Sequence, residues 1–133
     1  MVQKVGLICF SFLILPCFVN SENQERILTI DTIFGDLNSY KNSEVVFKGY
    51  YAEGTFFAND EFSWSFKENY IVMPYRGAKT DEFVEKCTGK LLVARGKLYV
   101  DNIRAPRIRE IDTLYPLVDP KINCLSLIEH FDN

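Results

Sequence analysis

The sequence predicts a mainly β protein: a small closed barrel of five strands, followed by a short C-terminal helix. Two observations support this prediction. Five short segments with β-type alternation are separated by turn residues, and glycines lie inside the first and fourth segments, at Gly49 and Gly96, where a strand can bend. A flat sheet of this size would leave exposed edges, so closure into a barrel is favoured.

The composition is that of one ordinary globular domain. The chain has 133 residues, of which 47% are hydrophobic and 25% charged, and this excludes wholesale disorder and fibrous structure. Its formal net charge of −3 also excludes a generally basic nucleic-acid-binding protein.

Residues 1–21 have the features of a secretory signal peptide. Lys4 is the only charged residue before Glu22, and a long apolar run followed by small polar residues lies between them. Cleavage before Glu22 would leave one domain, residues 22–133, in a periplasm or outside the cell. Two alternatives stay open, an uncleaved N-terminal membrane anchor and a lipid-modified Cys17. The apolar run is short for a bilayer span, which needs about 20 residues.

The cysteines agree with an oxidising compartment. Cys9 and Cys17 leave with the signal peptide, so that Cys87 and Cys124 remain as a pair. A disulfide between them would stabilise the fold by about 4 kcal/mol in the chain-entropy model; two separate buried thiols are the alternative. Together with the single histidine, His130, two cysteines do not form a zinc site of any usual spacing, and we expect neither a metal nor a cofactor.

The predicted strands cover residues 45–51, 62–66, 70–75, 90–100 and 108–114. In the second strand, Phe62, Trp64 and Phe66 alternate with serines, which predicts a core-facing row. A brief strand at 27–30, a short helix within 31–40 and a helical turn at 80–85 complete the first part of the chain.

The C-terminal helix is predicted from its start signal and its spacing. Asp119 suits the N-cap and Pro120 the first helical position. Four apolar residues then follow at the spacing of one helical face: Cys124, Leu127, Ile128 and Phe131.

Two segments resemble signatures of small exported OB-fold-like proteins of uncharacterised function. One is Tyr-Lys-Asn-Ser-Glu-Val-Val-Phe-Lys-Gly-Tyr-Tyr at 40–51, and the other is Cys-Thr-Gly-Lys-Leu-Leu-Val-Ala-Arg-Gly-Lys-Leu at 87–98. The resemblance covers about residues 40–115 and implies an OB-like barrel. Asn42, where these proteins usually have glycine, and the cysteine-bearing C-terminus depart from the pattern. The resemblance implies no particular ligand, because such barrels host many unrelated ones.

Charge is distributed unevenly along the chain. Residues 86–109 contain seven basic residues and one acidic residue, whereas residues 22–85 and 110–133 have net charges of −6 and −4. One interpretation is plain neutralisation between neighbouring strands. The other is a basic face for an anionic partner, such as a phosphate, a carboxylated glycan, a lipid head group or an acidic protein surface.

The candidate anion-binding residues are Arg95, Lys97, Arg104, Arg107 and Arg109. Pro106 favours a loop or a strand edge for the arginine cluster. If Ile108 faces the core, Arg107 and Arg109 point outward together and could bind one oxyanion. Arginines at a sheet edge also serve to prevent aggregation, which is the alternative.

Tyr50 and Tyr51 are candidate exposed aromatic contacts. Neighbours on a regular strand cannot both point inward, so we expect one of them to be available for stacking on a sugar or a base. The net charge and the compartment make nucleic acid an unlikely partner.

The sequence contains none of the common catalytic motifs: no nucleophile elbow, zincin, P-loop or dinucleotide fingerprint. We therefore expect a secreted or periplasmic binding module without catalysis, which engages an anionic partner through its basic strand and loop region. Two alternatives remain. One is a structural or envelope-associated protein without a ligand site, and the other is a hydrolase built on carboxylates from distant strands.

Overall fold

The computed structural model describes residues 26–60, 69–74 and 76–132. The predicted signal peptide, the predicted strand at 62–66 with its three aromatic residues, and Tyr75 lie outside the described residues.

The described residues form eight strands, three short α-helices and one 3₁₀ helix. In chain order these are β1 (Leu28–Thr29), α1 (Ile30–Gly35), α2 (Leu37–Tyr40), β2 (Glu44–Ala52), β3 (Thr55–Phe57), β4 (Tyr70–Val72), β5 (Arg76–Lys79), α3 (Asp81–Lys86), β6 (Leu91–Tyr99), β7 (Arg107–Pro116), the 3₁₀ helix (Cys124–Leu127) and β8 (Ile128–Asp132).

Five strands close into the predicted barrel. β2 pairs antiparallel with both β3 and β6, β3 with β4, and β6 with β7. The ring is completed where β4 runs parallel to β7, at the pair Val72 and Arg107. β1 adds a short parallel strand outside β2, and β5 and β8 form a separate two-stranded sheet. The predicted mainly β fold with a closed five-stranded barrel is confirmed.

The barrel is filled from alternate positions of its strands. Along β2 the inward residues Val45, Phe47 and Tyr51 are buried, and their neighbours are more exposed, as the period of two requires. The Phe56 ring meets the Phe47 ring edge-on at 5.0 Å between ring centroids. α1, whose N-cap Thr29 accepts a hydrogen bond from the Thr32 amide, contributes two more buried side chains to this core.

β3 was not among the predicted strands, and the structure shows why. All three of its residues are buried, so it lacks the alternation by which a strand is recognised. It begins directly after Glu53 and Gly54, whose φ angles of 50° and 76° are those of the tight hairpin turn that needs two left-handed residues.

β7 contains a bulge opposite Gly96. Arg95 is paired with Thr113, but Lys97 is paired with Arg109. Gly96 therefore faces the three residues 110–112, where a regular ladder would place one residue. A β-carbon at Gly96 would lie only 2.7 Å from the carbonyl oxygen of Arg109, so the close approach of β7 requires glycine here.

A short helix is present near the C-terminus, as predicted, but it begins later than Asp119 and Pro120 indicate and ends before Phe131. The 3₁₀ helix spans only four residues, with Asn123 as its N-cap, and the chain continues as strand β8. The amide and the hydroxyl of Thr80 both donate to the carbonyl of Leu127, an acceptor that a continuing helix would use for itself. The β5–β8 ladder then holds the chain extended.

The predicted disulfide between Cys87 and Cys124 is present. Both cysteines are fully buried, and the bond joins the end of α3 to the 3₁₀ helix. Such a bond suggests an oxidising compartment. Among the described helices, none has the length and apolar character needed to cross a membrane.

Candidate functional site

The pairing of β6 with β7 brings four outward-facing side chains together. Lys97 is paired with Arg109, and Tyr99 with Arg107. Ile108, between the two arginines, is fully buried, which confirms the prediction that Arg107 and Arg109 share the outer face. Tyr99, Arg107, Arg109 and Glu110 line a cleft of about 360 Å³, which we name the cationic cleft.

Arg107 is held rigidly in this cleft. Its guanidinium donates to Asp101 Oδ2 at 3.1 Å and to the carbonyl of Ala105 at 3.4 Å, and only 15% of its side chain is exposed. Because its orientation is set before any ligand arrives, less conformational entropy is lost on binding.

Asp101 anchors Arg107 and the loop that follows β6. Its Oδ1 accepts hydrogen bonds from the backbone amides of Ile103 and Arg104, both at 2.9 Å. These two hydrogen bonds hold the pKa of the Asp101 carboxyl well below its usual range, and hydrogen bonds from the side chains of Arg104 and Arg107 lower it further. The carboxylate therefore stays charged and keeps its arginine partners throughout the physiological pH range.

Arg109 differs from Arg107 in its ion pairing. Its side chain is exposed, and within the part of the chain that the structure describes no carboxylate forms an ion pair with it. Its cross-strand partner is Lys97. Like charges directly opposite each other on a sheet are unfavourable, by roughly 0.2–1 kcal/mol, so this pair costs stability in the free protein.

Tyr99 and Glu110 form the other side of the cationic cleft. The Tyr99 hydroxyl donates to Glu110 Oε2 at 2.6 Å, and this bond is the main cause that raises the pKa of the phenol. The Lys97 ammonium lies 5.5 Å from the centre of the Tyr99 ring, within the range of a cation–π contact. Glu110 was not a predicted site residue. No local signal identifies it, because its position depends on the bulge in β7.

Two of the predicted basic residues are neutralised outside the cleft. Arg95 pairs with Asp112 at 2.8 Å, which lowers the pKa of that carboxyl. Arg104 pairs with Asp101 and keeps a 67% exposed side chain. Arg107 shares Asp101 with Arg104, so this carboxylate offsets part of its charge as well. Arg107 and Arg109 line the cationic cleft, and Lys97 lies opposite Arg109.

The two candidate tyrosines lie on opposite faces of β2. Tyr51 is fully buried and contacts the rings of Phe56 and Phe83. It is therefore the inward-facing tyrosine of the two and is not available as an exposed contact. Tyr50 is half-buried and lines a different cleft, of about 250 Å³, on the side of Lys48 and Thr29. The structure does not bring it into the cationic cleft.

The chemistry available in the cationic cleft is that of anion recognition. Arg107, oriented by Asp101 and Ala105, and the exposed Arg109 both carry N–H donors that can bind an oxyanion. Lys97, opposite Arg109, adds a third positive charge. Among the described residues, no group of three or more histidine, cysteine or acidic side chains is placed to hold a metal ion. The chain matches no known protein-family model, no curated protein and no solved structure.

Proposed function

We propose that this protein is a binding module without catalysis that engages an anionic partner through the cationic cleft. The observation that supports this most directly is the placement of Arg109. Its guanidinium has no acidic partner among the described residues, yet it lies opposite Lys97 and beside the fixed Arg107. A bound anion would offset a repulsion that the free protein must otherwise tolerate.

The energetics of the site favour ligand binding over a purely structural role. A hydrogen bond to a charged group contributes about 1.5–3 kcal/mol, and the fork of an arginine can make two such bonds to one oxyanion. Arg107 is already oriented by Asp101. A ligand anion would therefore bind the remaining N–H donors of one oriented guanidinium and the whole fork of one adjustable guanidinium, and this combination supports both specificity and affinity.

The fold and the disulfide support the wider setting of this proposal. We infer that the barrel is OB-like, because its strands are paired in a ring with one parallel contact, between β4 and β7, in line with the signatures at 40–51 and 87–98. Barrels of this kind are scaffolds for many ligands. We also infer export to a periplasm or to the outside of the cell after removal of residues 1–21, in agreement with the disulfide.

A second candidate function is that of a structural or envelope-associated protein without a dedicated ligand. The ion pairs of Arg95 with Asp112 and of Arg104 with Asp101 favour it, because they show basic side chains neutralised within the chain. This candidate predicts that no single basic residue matters more than another for interaction with anions.

The test compares two variants that carry the same change in charge. Arg109→Gln removes the exposed guanidinium from the cleft, and Lys121→Gln removes an exposed positive charge from the turn that precedes the 3₁₀ helix. We expect Arg109→Gln to lower affinity for an anionic matrix, such as an immobilised acidic polysaccharide, by about tenfold or more. Lys121→Gln should elute at the same salt concentration as the wild-type protein. Equal behaviour of both variants would contradict the proposal and favour the second candidate.

A further inference from the structure

The cationic cleft contains one residue that a simple anion site does not need. Glu110 lines the cleft together with Arg107 and Arg109. A carboxylate there repels a bound sulfate, because that fully ionised group carries acceptors and no donors. Its presence is explained if the ligand offers hydrogen-bond donors as well as a negative charge.

The backbone at Glu110 shows that this side chain is placed at a cost. Its φ angle is +53°, in the left-handed region, which costs most residues about 1–2 kcal/mol. The bulge in β7 produces this conformation, and bulges redirect side chains next to binding sites. The same bulge turns Ile111 into the core and leaves Glu110 exposed. A strained acidic residue in a basic cleft therefore points to a function for its carboxylate.

The hydrogen bond from Tyr99 fixes that carboxylate and leaves part of it available. Tyr99 donates to Oε2 of Glu110. A carboxylate has about four acceptor positions on its two oxygens, so Oε1 remains able to accept from a ligand. Tyr99 is therefore a positioning residue for Glu110.

We propose that the ligand is an acidic sugar, a uronic acid unit of a glycan, and this inference rests on the proposed function. The sugar carboxylate would bind between Arg107 and Arg109, and its ring hydroxyls would donate to Glu110. The cleft volume of about 360 Å³ lies at the lower end of the range for ligand sites, roughly 300–1,000 Å³, which suits a group of this size. With Lys97 opposite Arg109 and Asp101 paired to Arg107 included, the site has three positive and two negative charges. A ligand with one carboxylate and several hydroxyl donors matches both signs.

Three probes test this proposal by titration calorimetry on the full mature chain. They are a short oligogalacturonate, its fully methyl-esterified form, which keeps its hydroxyls and loses its charge, and inorganic sulfate, which has no donors. We expect the oligogalacturonate to bind, the ester to bind at least tenfold more weakly, and sulfate to bind more weakly than the oligogalacturonate. Arg109→Gln should weaken the binding of both anions, and Lys121→Gln should change neither.

Glu110→Gln provides the decisive comparison. A glutamine oxygen accepts more weakly and carries no charge, so this variant should bind the oligogalacturonate about fivefold to tenfold more weakly and sulfate more tightly. Tyr99→Phe, which releases the carboxylate without changing any charge, should also weaken oligogalacturonate binding. It provides a second measurement if Glu110→Gln fails to fold.

The results distinguish failure of the acidic-sugar proposal from failure of the proposed function. If Glu110→Gln strengthens the binding of both anions, the ligand is a simple oxyanion; the acidic-sugar proposal then fails while the proposed function stands. If Arg109→Gln changes the binding of neither anion, both proposals fail.

Discussion

A methyl group added at Gly96 tests the link between the barrel and the cationic cleft. In Gly96→Ala the new β-carbon would lie 2.7 Å from the carbonyl oxygen of Arg109, and 3.0 and 3.1 Å from side-chain atoms of Ile108 and Ile111. The closest of these is a backbone atom of the strand that carries the site, so it cannot move away by a change of rotamer.

The expected loss of stability in Gly96→Ala follows from these distances. Ordinary contact begins at 3.4 Å, so the Arg109 carbonyl must retreat by about 0.7 Å, within a region where Ile108 and Ile111 are both buried. Overpacking of this kind costs about 1–3 kcal/mol, and the smaller entropy of alanine in the unfolded chain offsets about 0.4–1 kcal/mol of it. We expect a net loss of about 1–2 kcal/mol in the free energy of unfolding. Anion affinity should also fall, because Arg109 moves.

Gly35→Ala is the matched control. A β-carbon at Gly35, the last residue of α1, would meet no atom within 4 Å. Alanine is favoured over glycine in a helix by up to about 1 kcal/mol, so this variant should be as stable as the wild-type protein or more stable. Urea denaturation followed by circular dichroism measures both variants. Equal stability of Gly96→Ala and the wild-type protein would refute the close approach of β7.

Three further predictions concern the disulfide, a turn and an acidic residue. Reduction of the Cys87–Cys124 bond, which closes a separation of 37 residues, should lower the free energy of unfolding by about 4 kcal/mol in the chain-entropy model, as measured by urea denaturation with and without reductant. Glu53→Asn should raise the free energy of unfolding by about 0.5–1 kcal/mol, because asparagine tolerates the left-handed turn position better than glutamate. Thermal melting measures this gain. Asp101→Asn should destabilise the protein at pH 7. The folded-state pKa of Asp101 is depressed. Its contribution to the free energy of unfolding is therefore fully present above its ordinary pKa of 3.8 and is lost as the pH falls below that value. Melting temperatures between pH 7 and pH 2 measure this loss.

Each of these predictions has its own control. Alkylation of both cysteines without reductant, detected by mass spectrometry, would contradict the disulfide. Glu53→Ala should not stabilise the hairpin, and an equal gain from alanine and asparagine would rule out the turn as the cause. A difference between Asp101→Asn and the wild-type protein that stays constant from pH 7 to pH 2 would show that the charge of Asp101 is not what stabilises the loop.

The long strands could be predicted from the sequence because their side chains alternate. β2 and β6 extend to within one residue of the predicted segments at 45–51 and 90–100. The core-facing position of Ile108 followed from the same alternation. β3 could not be found in this way, because a strand of three buried residues has no period to detect.

The C-terminus shows how a long-range contact overrides local spacing. Helical spacing is present at Cys124, Leu127 and Ile128. However, the hydroxyl of Thr80, 47 residues earlier in the chain, donates a hydrogen bond to the Leu127 carbonyl. The strand that follows pairs with β5. Neither contact can be predicted from the residues next to it in the sequence.

The cationic cleft could be predicted only in part, because it too depends on how distant segments of the chain pair. The arginines were candidates from the start, because their charge is visible in the sequence. Their arrangement depends on the bulge, since a regular continuation of the pairing of Arg95 with Thr113 would place Ile111, and not Arg109, opposite Lys97. Glu110 enters the site through this same shift.

The disulfide also determines what a protease could do to this molecule. Both strands of the cationic cleft, β6 and β7, lie between Cys87 and Cys124 in the chain, and the loop that joins them exposes 91% of Ile103. Trypsin cleaving after the neighbouring Arg104 would produce two fragments that remain attached through the sulfur bridge and the sheet. Such a nicked form would keep its mass, apart from one added water, until a reductant separated the halves.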